Sequence, residues 1–215
     1  MISYLGQSCF KLQDKLGPEG VTLVTDPFSK DLGLKVPNFE ADIVTVSHQH
    51  EDHNNAGALR GTPFVIDMPG EYDVKGVMIQ GVKTFHDNKA GAERGGNIVY
   101  RIEIDDLTIV HLGDLGHVLT DEQLEQLDGV DILMIPVGGK YTIDAKTAVE
   151  VIGQLEPRIV IPMHYKLAGS KSDLEPVEKF VKELGVQPRT EERLKISKKD
   201  LPQEGMDLVV MSVLN

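Results

Sequence analysis

Apolar residues run in short blocks through the first half of the chain, and Gly, Pro and Asp break the blocks apart. Ile2 to Leu12, Val21 to Thr25, Ile43 to Val46, Phe64 to Ile66 and Val77 to Val82 are such blocks, and their β-branched content predicts strands. Ile98 to Ile104 and Leu107 to Leu112 flank Asp105-Asp106, which predicts a hairpin closed by a two-residue turn. The period then changes. Thr120 with Gln123 is a capping-box signature that opens a helix to about Leu127. Ala145, Ala148, Val149, Ile152 and Leu155 form the apolar stripe of a second helix, which Pro157 ends. Ser172 with Glu175 predicts the start of a third, carrying Val177, Phe180, Val181 and Leu184 ahead of Gly185. Ile132 to Val137, Ile159 to Met163 and Leu208 to Val213 read as strands. Strands dominate early and β-α alternation late, with no repeat and no low-complexity linker. The expectation is a single domain over residues 1–215, two layers of sheet with helices outside.

Composition narrows the function. The 22 Lys plus Arg against 34 Asp plus Glu leave a net charge of −12, which speaks against a broad grip on nucleic acid or on an anionic membrane. A locally positive pocket remains compatible with it. Hydrophobic residues at 40% and charged residues at 26% exclude bulk disorder. Cys9 is the only cysteine, so neither an intrachain disulfide nor a thiolate-rich metal site can form. The first residues lack the basic and apolar regions of a signal peptide, and no apolar run reaches about 18 residues. A cytoplasmic protein that inserts into no membrane is expected. The short basic stretch Lys195-Ile-Ser-Lys198-Lys199 reads as a solvated loop.

The histidines carry the chemistry. His48-Gln-His50-Glu-Asp52-His53 follows directly on the apolar block Ile43 to Val46, and an irregular turn after a strand lets neighbouring side chains converge as alternating strand positions cannot. Imidazole and carboxylate are the ligands favoured by zinc and its first-row neighbours. His86, Asp114 and His164 lie far apart in sequence, yet each stands at or just beyond the end of a predicted strand, and strand ends on one rim can meet. Together these residues supply five His and two Asp, enough for two metals sharing a carboxylate.

In this order, His48-x-His50-x-Asp52-His53, His86, Gly113-Asp114 and Pro162-Met163-His164-Tyr165 resemble the five ordered motifs of the metallo-β-lactamase-fold hydrolases. Thr25-Asp26-Pro27 matches the early Asp-containing motif, and the resemblance runs from Ile2 to His164 and on toward the last strand. His111-Leu-Gly-Asp-Leu-Gly-His117 and Pro136-Val-Gly-Gly-Lys-Tyr141-Thr are most similar to the L-ascorbate-6-phosphate lactonase-like branch. The resemblance implies an α/β fold, a four-layer αβ/βα sandwich with the site between the loops of the two sheets. It implies one metal on His48, His50 and His86, a second on Asp52, His53 and His164, and Asp114 bridging them. The cofactors implied are two divalent ions, zinc foremost, with manganese or iron also suited to an all-His/Asp set.

Two divalent ions about 3.5–4 Å apart lower the pKa of a bridging water toward neutrality and stabilise developing charge. The expected reaction is therefore hydrolysis by a metal-bridging hydroxide, on a small lactone, ester or phosphorylated metabolite. Two carboxylates offset only part of the ions' charge, so an anionic small molecule suits the pocket despite the acidic surface. A phosphodiesterase or nuclease on the same motifs, and a metal-retaining binding protein without turnover, are the alternatives. The acidic balance disfavours a large RNA, and the composition leaves a homo-oligomer open. There is no Gly-x-Ser-x-Gly elbow and Cys9 has no catalytic context, which disfavours a side-chain nucleophile.

Asp52 and His117 are the residues expected to serve the catalytic step, His117 by positioning substrate or protonating the leaving group. Asp26 either accepts a ligand imidazole N–H or forms the turn before Pro27. Glu51, Glu71 and Asp87 are further acidic candidates, Tyr141, Thr142 and Lys166 stand on loops that can reach substrate or solvent, and His111 reads as a satisfied core histidine. Asn54 and Asn55 are expected to cap the turn after the cluster, and Gly95-Gly96-Asn97 to begin a strand.

Overall fold

The computed structural model describes residues 1–14 and 20–214. The first predicted block divides in two. Gln7 adopts φ 53°, and strand β1 (Ile2–Gly6) turns back antiparallel on β2 (Cys9–Gln13). Strands β3 (Thr22–Thr25), β4 (Ile43–Thr45) and β5 (Phe64–Ile66) follow side by side in parallel. Strand β6 (Gly70–Val74) has no sequence signal, since Gly70, Glu71 and Asp73 are poor strand formers, and it pairs only at a sheet edge. Strand β7 (Val77–Phe85) runs past Val82 because Lys83, Thr84 and Phe85 continue the ladder with β8 (Gly96–Ile104). Asp105 and Asp106, both at positive φ, close the expected hairpin between β8 and β9 (Leu107–His111).

The second half alternates as its pattern requires. Helix α1 (Asp121–Gln126) carries the complete capping box of Thr120 and Gln123. Strand β10 (Ile132–Pro136), helix α2 (Ala145–Leu155) capped by Asp144, and strand β11 (Ile159–Met163) form a β-α-β unit. Helix α3 (Val177–Leu184) starts after Pro176, later than Ser172 and Glu175 predict. Glu175 is held extended instead, its N–H on the Gly138 carbonyl at 3.0 Å and its carbonyl accepting the Lys166 N–H at 3.0 Å, and the following Pro176 disfavours helix at that residue. Short strands β12 (Arg189–Glu191) and β13 (Arg193–Leu194) precede β14 (Asp207–Met211).

Two sheets result, ordered β13-β1-β2-β3-β4-β5 and β12-β14-β11-β10-β9-β8-β7-β6. Strand alternation builds the layers. Phe10, Leu23 and Ile43 join the core that also contains Ile109, Leu133 and Ile161 of the larger sheet and Ala148, Val151 and Phe180 of α2 and α3. Cys9, Val24 and Val44 face the other way, into a second cluster with Phe28 and Leu59. No residue of α1, α2 or α3 belongs to that cluster; the connecting segments and the 3-10 turns Lys30–Leu32 and Ala56–Ala58 cover this face. Strands β10 and β11 are buried along their whole length, as strands covered on both faces must be. Pro162 is tolerated within β11 because β14 pairs only with Ile159 and Val160 and asks no N–H of it.

The pairing directions decide where the site lies. Strands β7, β9, β10 and β11 point the same way, so Phe85, His111, Pro136 and Met163 end on one rim and Gly96 of antiparallel β8 begins there. In the smaller sheet β3 and β4 are parallel and β2 opposes them, so the ends of β3 and β4 and the β1–β2 turn also share one rim.

Candidate metal centre

Both rims meet at the histidines. His48, His50, Asp52 and His53 occupy the turn after β4, His86 follows β7, Asp114 follows β9 and His164 follows β11. His48, His53, His86, Asp114 and His164 are buried, Asp52 is half-buried and His50 is exposed. One oxygen, Asp114 Oδ2, lies 3.3 Å from His53 Nε2, 3.2 Å from His86 Nε2, 3.3 Å from His164 Nε2 and 4.0 Å from His48 Nε2. Ligand atoms lie within 4.8 Å of one another in three groups: His48, His50 and His86; Asp52, His53 and His164; and His48, His53 and Asp114, which overlaps both histidine clusters. The structure thus brings together the residues that the resemblance assigns to the two sets, with Asp114 among them.

A buried network fixes how the imidazoles present themselves. Asp26, fully buried and at φ 39°, accepts the Ser47 N–H at 2.7 Å, the Ser47 hydroxyl at 2.6 Å and His53 Nδ1–H at 2.9 Å. Burial opposes its ionisation, but the His53 hydrogen bond and the surrounding imidazoles hold its carboxyl below the ordinary range. Because the Ser47 hydroxyl donates to Asp26, its oxygen is left to accept from His48 Nδ1, 3.0 Å away. Both Nδ1 atoms are thus donors, and both Nε2 atoms face the site as the positions open to a ligand. Burial, with His53 beside it, pushes His48 down to about 3, so it is neutral and able to ligate at physiological pH. Burial works against protonation of His53 as well, but Asp114, Asp26 and Asp52 outweigh it and raise that ring well above the ordinary value.

The donors fit metal ions. Among the described residues, His48 Nε2, His53 Nε2 and Asp114 Oδ1 are buried with no hydrogen-bond partner. Buried polar atoms are normally paired, and converging lone pairs of this kind suit a cation.

Asp114 is held by features with little sequence signal. Its N–H donates to Asn97 Oδ1 at 2.9 Å, and the Asn97 amide donates to Thr84 Oγ1 at 2.8 Å and to the Leu112 carbonyl at 3.0 Å. Gly113, at φ 54°, must be glycine: a Cβ there would lie 2.5 Å from Asn97 Oδ1 and 2.6 Å from Ser47 Cβ. His111 donates from Nε2 to the Ser8 carbonyl at 2.8 Å and accepts the Gly113 N–H at 3.2 Å, tying the Asp114 turn to the opposite sheet as a satisfied core histidine.

His117 has different surroundings from those expected. Its Nε2 accepts the Phe85 N–H at 3.1 Å and its Nδ1 donates to the Val118 carbonyl at 2.8 Å, so a leaving-group role would require breaking a backbone bond. Asp87, next to His86, is buried and accepts the N–H groups of Lys89, Gly91, Glu93 and Arg94. Burial opposes ionisation, yet those four bonds hold its carboxyl at about 2, and they shape the loop that carries His86. Lys166 is bound to the Ser170 and Ser172 carbonyls, and Thr142 Oγ1 donates to the Ile143 carbonyl. Glu51 and Glu71 are exposed. Asn54 and Asn55 brace the turn through the Gln49 and Phe28 carbonyls. Lys195, Lys198 and Lys199 are exposed, as a solvated stretch should be, and Lys198 also forms an ion pair with buried Asp131 at 2.7 Å. Tyr141 is exposed and lies under the Arg94 guanidinium, 5.0 Å from the ring centroid.

An α/β sandwich of two sheets with a buried His/Asp cluster on its loop rim has the donor set of a metal-dependent site. Residues 1–164 match the family model described as the beta-lactamase superfamily domain, and the chain belongs to that family. It is 29% identical over 192 residues to a UPF0173 metal-dependent hydrolase of Thermococcus onnurineus, covering 76% of this chain and 84% of that protein. A solved structure from Thermotoga maritima, a candidate Zn-dependent hydrolase of the metallo-beta-lactamase superfamily, shares 42% identity at a TM-score of 0.80, covering 98% of this chain and 97% of that one. The fold is shared with Igni18, a metallo hydrolase of Ignicoccus hospitalis, at 22% identity and a TM-score of 0.61, over 86% and 89% of the two chains. The protein is accordingly a metal-dependent hydrolase of the metallo-beta-lactamase superfamily. No helix among the described residues is long and apolar enough to cross a membrane.

Proposed function

We propose that the protein is a dinuclear hydrolase of small anionic metabolites, lactones, esters or phosphorylated compounds, working as a single domain in the cytoplasm. The observation that supports this reading is that the ligand atoms of His48, His50 and His86 and those of Asp52, His53 and His164 each gather within 4.8 Å, while Asp114 Oδ2 lies within 3.3 Å of members of both groups. His48, His50 and His86 would hold one ion and Asp52, His53 and His164 the other. Divalent ions in these places supply Lewis acidity and an activated water. The chain's own groups set the stage for it: Asp26 and Ser47 turn the His48 and His53 lone pairs inward, and Asp52 offers its carboxylate from the more open side.

Protein purified without added metal is expected to contain close to two divalent ions per chain, and chelation to abolish turnover of a panel of lactones and p-nitrophenyl phosphodiesters. Lactone turnover alone supports the proposed substrate class, and phosphodiester turnover alone replaces it with a phosphodiesterase. Two ions with no turnover at all favours a binding protein. Uptake should also release protons, because an ion must displace the proton that the carboxylates stabilise on His53. Affinity therefore rises with pH, which calorimetry in buffers of differing ionisation enthalpy reads directly.

Arg94 supports the anionic preference. It stands just before β8 on the rim that carries His86, stacked on Tyr141 of the loop after β10, and its guanidinium has no carboxylate among the described ion pairs. Arg94→Gln is expected to raise KM about tenfold for a carboxylate-bearing ester such as mono-p-nitrophenyl glutarate, the scale of an exposed charge-assisted contact. KM for neutral p-nitrophenyl butyrate should not move. Equal changes for both esters would exclude Arg94 from substrate recognition.

A further inference from the structure

Gln7 stands in the turn between β1 and β2 and is 2% exposed. Its φ of 53° is a left-handed backbone that glycine or asparagine holds more readily than glutamine. Such an outlier in a buried polar residue directs attention to its contacts. The side-chain Nε2 donates to Asp52 Oδ2 at 2.9 Å. The backbone carbonyl accepts the His164 N–H at 2.8 Å and the Tyr4 hydroxyl at 2.8 Å. His164 is itself at φ 52°. Asp52 and His164, with His53, make up one of the groups whose ligand atoms fall within 4.8 Å.

One residue thus touches two of the three members of that group, one through its side chain and one through its backbone, and among the described residues none of its hydrogen bonds reaches His48, His50 or His86. We propose that Gln7 is a positioning residue for the second metal ion: its amide pins one oxygen of Asp52, and its carbonyl sets where His164 leaves the sheet. The choice of amide follows from charge. A lysine or arginine here would hold Asp52 equally well but would repel the ion, and a glutamate would repel Asp52; a neutral donor does neither. The left-handed backbone is what aims side chain and carbonyl at two ligands from one turn. The inference rests on the dinuclear reading proposed above and adds a residue to it.

Stepwise Zn²⁺ titration of the full chain against a competing chelator tests it. Gln7→Asn keeps an amide and tolerates the backbone but is one methylene too short to reach Asp52; Gln7→Gly removes the side chain and relieves the backbone. In both, the first Zn²⁺ should bind as in the wild type and the second should weaken by about 10–100-fold, the range for losing a partner that orients a ligand. Thermal unfolding of the metal-free proteins should be unchanged for Gln7→Asn and no lower for Gln7→Gly. Unchanged constants for both ions in both variants would overturn the assignment while leaving the dinuclear centre standing. Equal weakening of both ions, with a lower unfolding temperature, would overturn it too and make Gln7 a general structural residue. A wild-type chain that binds a single Zn²⁺ overturns the dinuclear reading itself, and with it a second ion for Gln7 to serve.

Discussion

Asp114→Ala is expected to lower kcat/KM by at least about 10³-fold for whatever substrate the chain turns over, and to leave the purified protein depleted of metal at both groups. The magnitude follows from position. Asp114 Oδ2 lies within 3.3 Å of the Nε2 atoms of His53, His86 and His164, which belong to both ligand groups, so its loss reaches each. Metal activation contributes several kcal/mol to the transition state, and about 1.4 kcal/mol is a factor of ten, so about 10³-fold is the lower end. The variant should fold, because Asp114 is held through its backbone N–H on Asn97, which alanine keeps. Metal analysis by mass spectrometry and a circular dichroism spectrum on the same sample check both halves. Full occupancy in a folded Asp114→Ala protein would show that the shared carboxylate is not a ligand.

The residues that converge on Asp114 were legible in the sequence for a physical reason. A loop at a strand end has no alternation to satisfy, so His48, His50, Asp52 and His53 stand out as a cluster that packing does not require. His86, Asp114 and His164 share the same position relative to apolar blocks, and parallel pairing of β9, β10 and β11 turns a shared position into a shared rim. What stayed hidden depends on contacts between distant segments. Gln7 and Asp52 are 45 residues apart and Asn97 and Asp114 are 17 apart, and no local pattern marks either pair. A histidine in a loop beside a ligand has the same sequence signature whether its ring meets substrate or backbone; the Phe85 N–H that engages His117 comes from the extension of β7 beyond its predicted end. Strands β6 and β12 lie at sheet edges, where pairing on one side suffices and the apolar pattern weakens. The start of α3 was lost to Glu175, whose tertiary hydrogen bonds to Gly138 and Lys166 prevail over a local capping signal.

Asp26→Asn should weaken metal binding about 10–100-fold and destabilise the metal-free fold by about 1–3 kcal/mol, though it removes no ligand and changes almost no volume. Asp26 accepts three hydrogen bonds, two of them on Oδ2, from the Ser47 hydroxyl and from His53 Nδ1. An asparagine has one oxygen. If that oxygen takes the Oδ1 place and keeps the Ser47 N–H, the amide nitrogen meets two donors, and at least one must reverse. Reversal at His53 moves its proton to Nε2 and closes the lone pair that faces the site; reversal at Ser47 turns its hydroxyl to donate to His48 Nδ1, which moves that ring's proton to Nε2 and closes the His48 lone pair instead. Either way a ligand is disturbed through its far nitrogen. The pH dependence separates this from a simple loss of packing. Asp26 is held below its ordinary carboxyl range in the folded chain, so its stabilisation is present above the unfolded pKa and is lost as pH falls through the folded one. The stability difference between metal-free wild type and Asp26→Asn should therefore be full at neutral pH and shrink on acidification below the ordinary carboxylate range. Denaturant unfolding of both proteins across that range checks it: a difference that stays constant with pH would assign Asp26 to packing alone, and unchanged metal affinity would remove it from the control of His53.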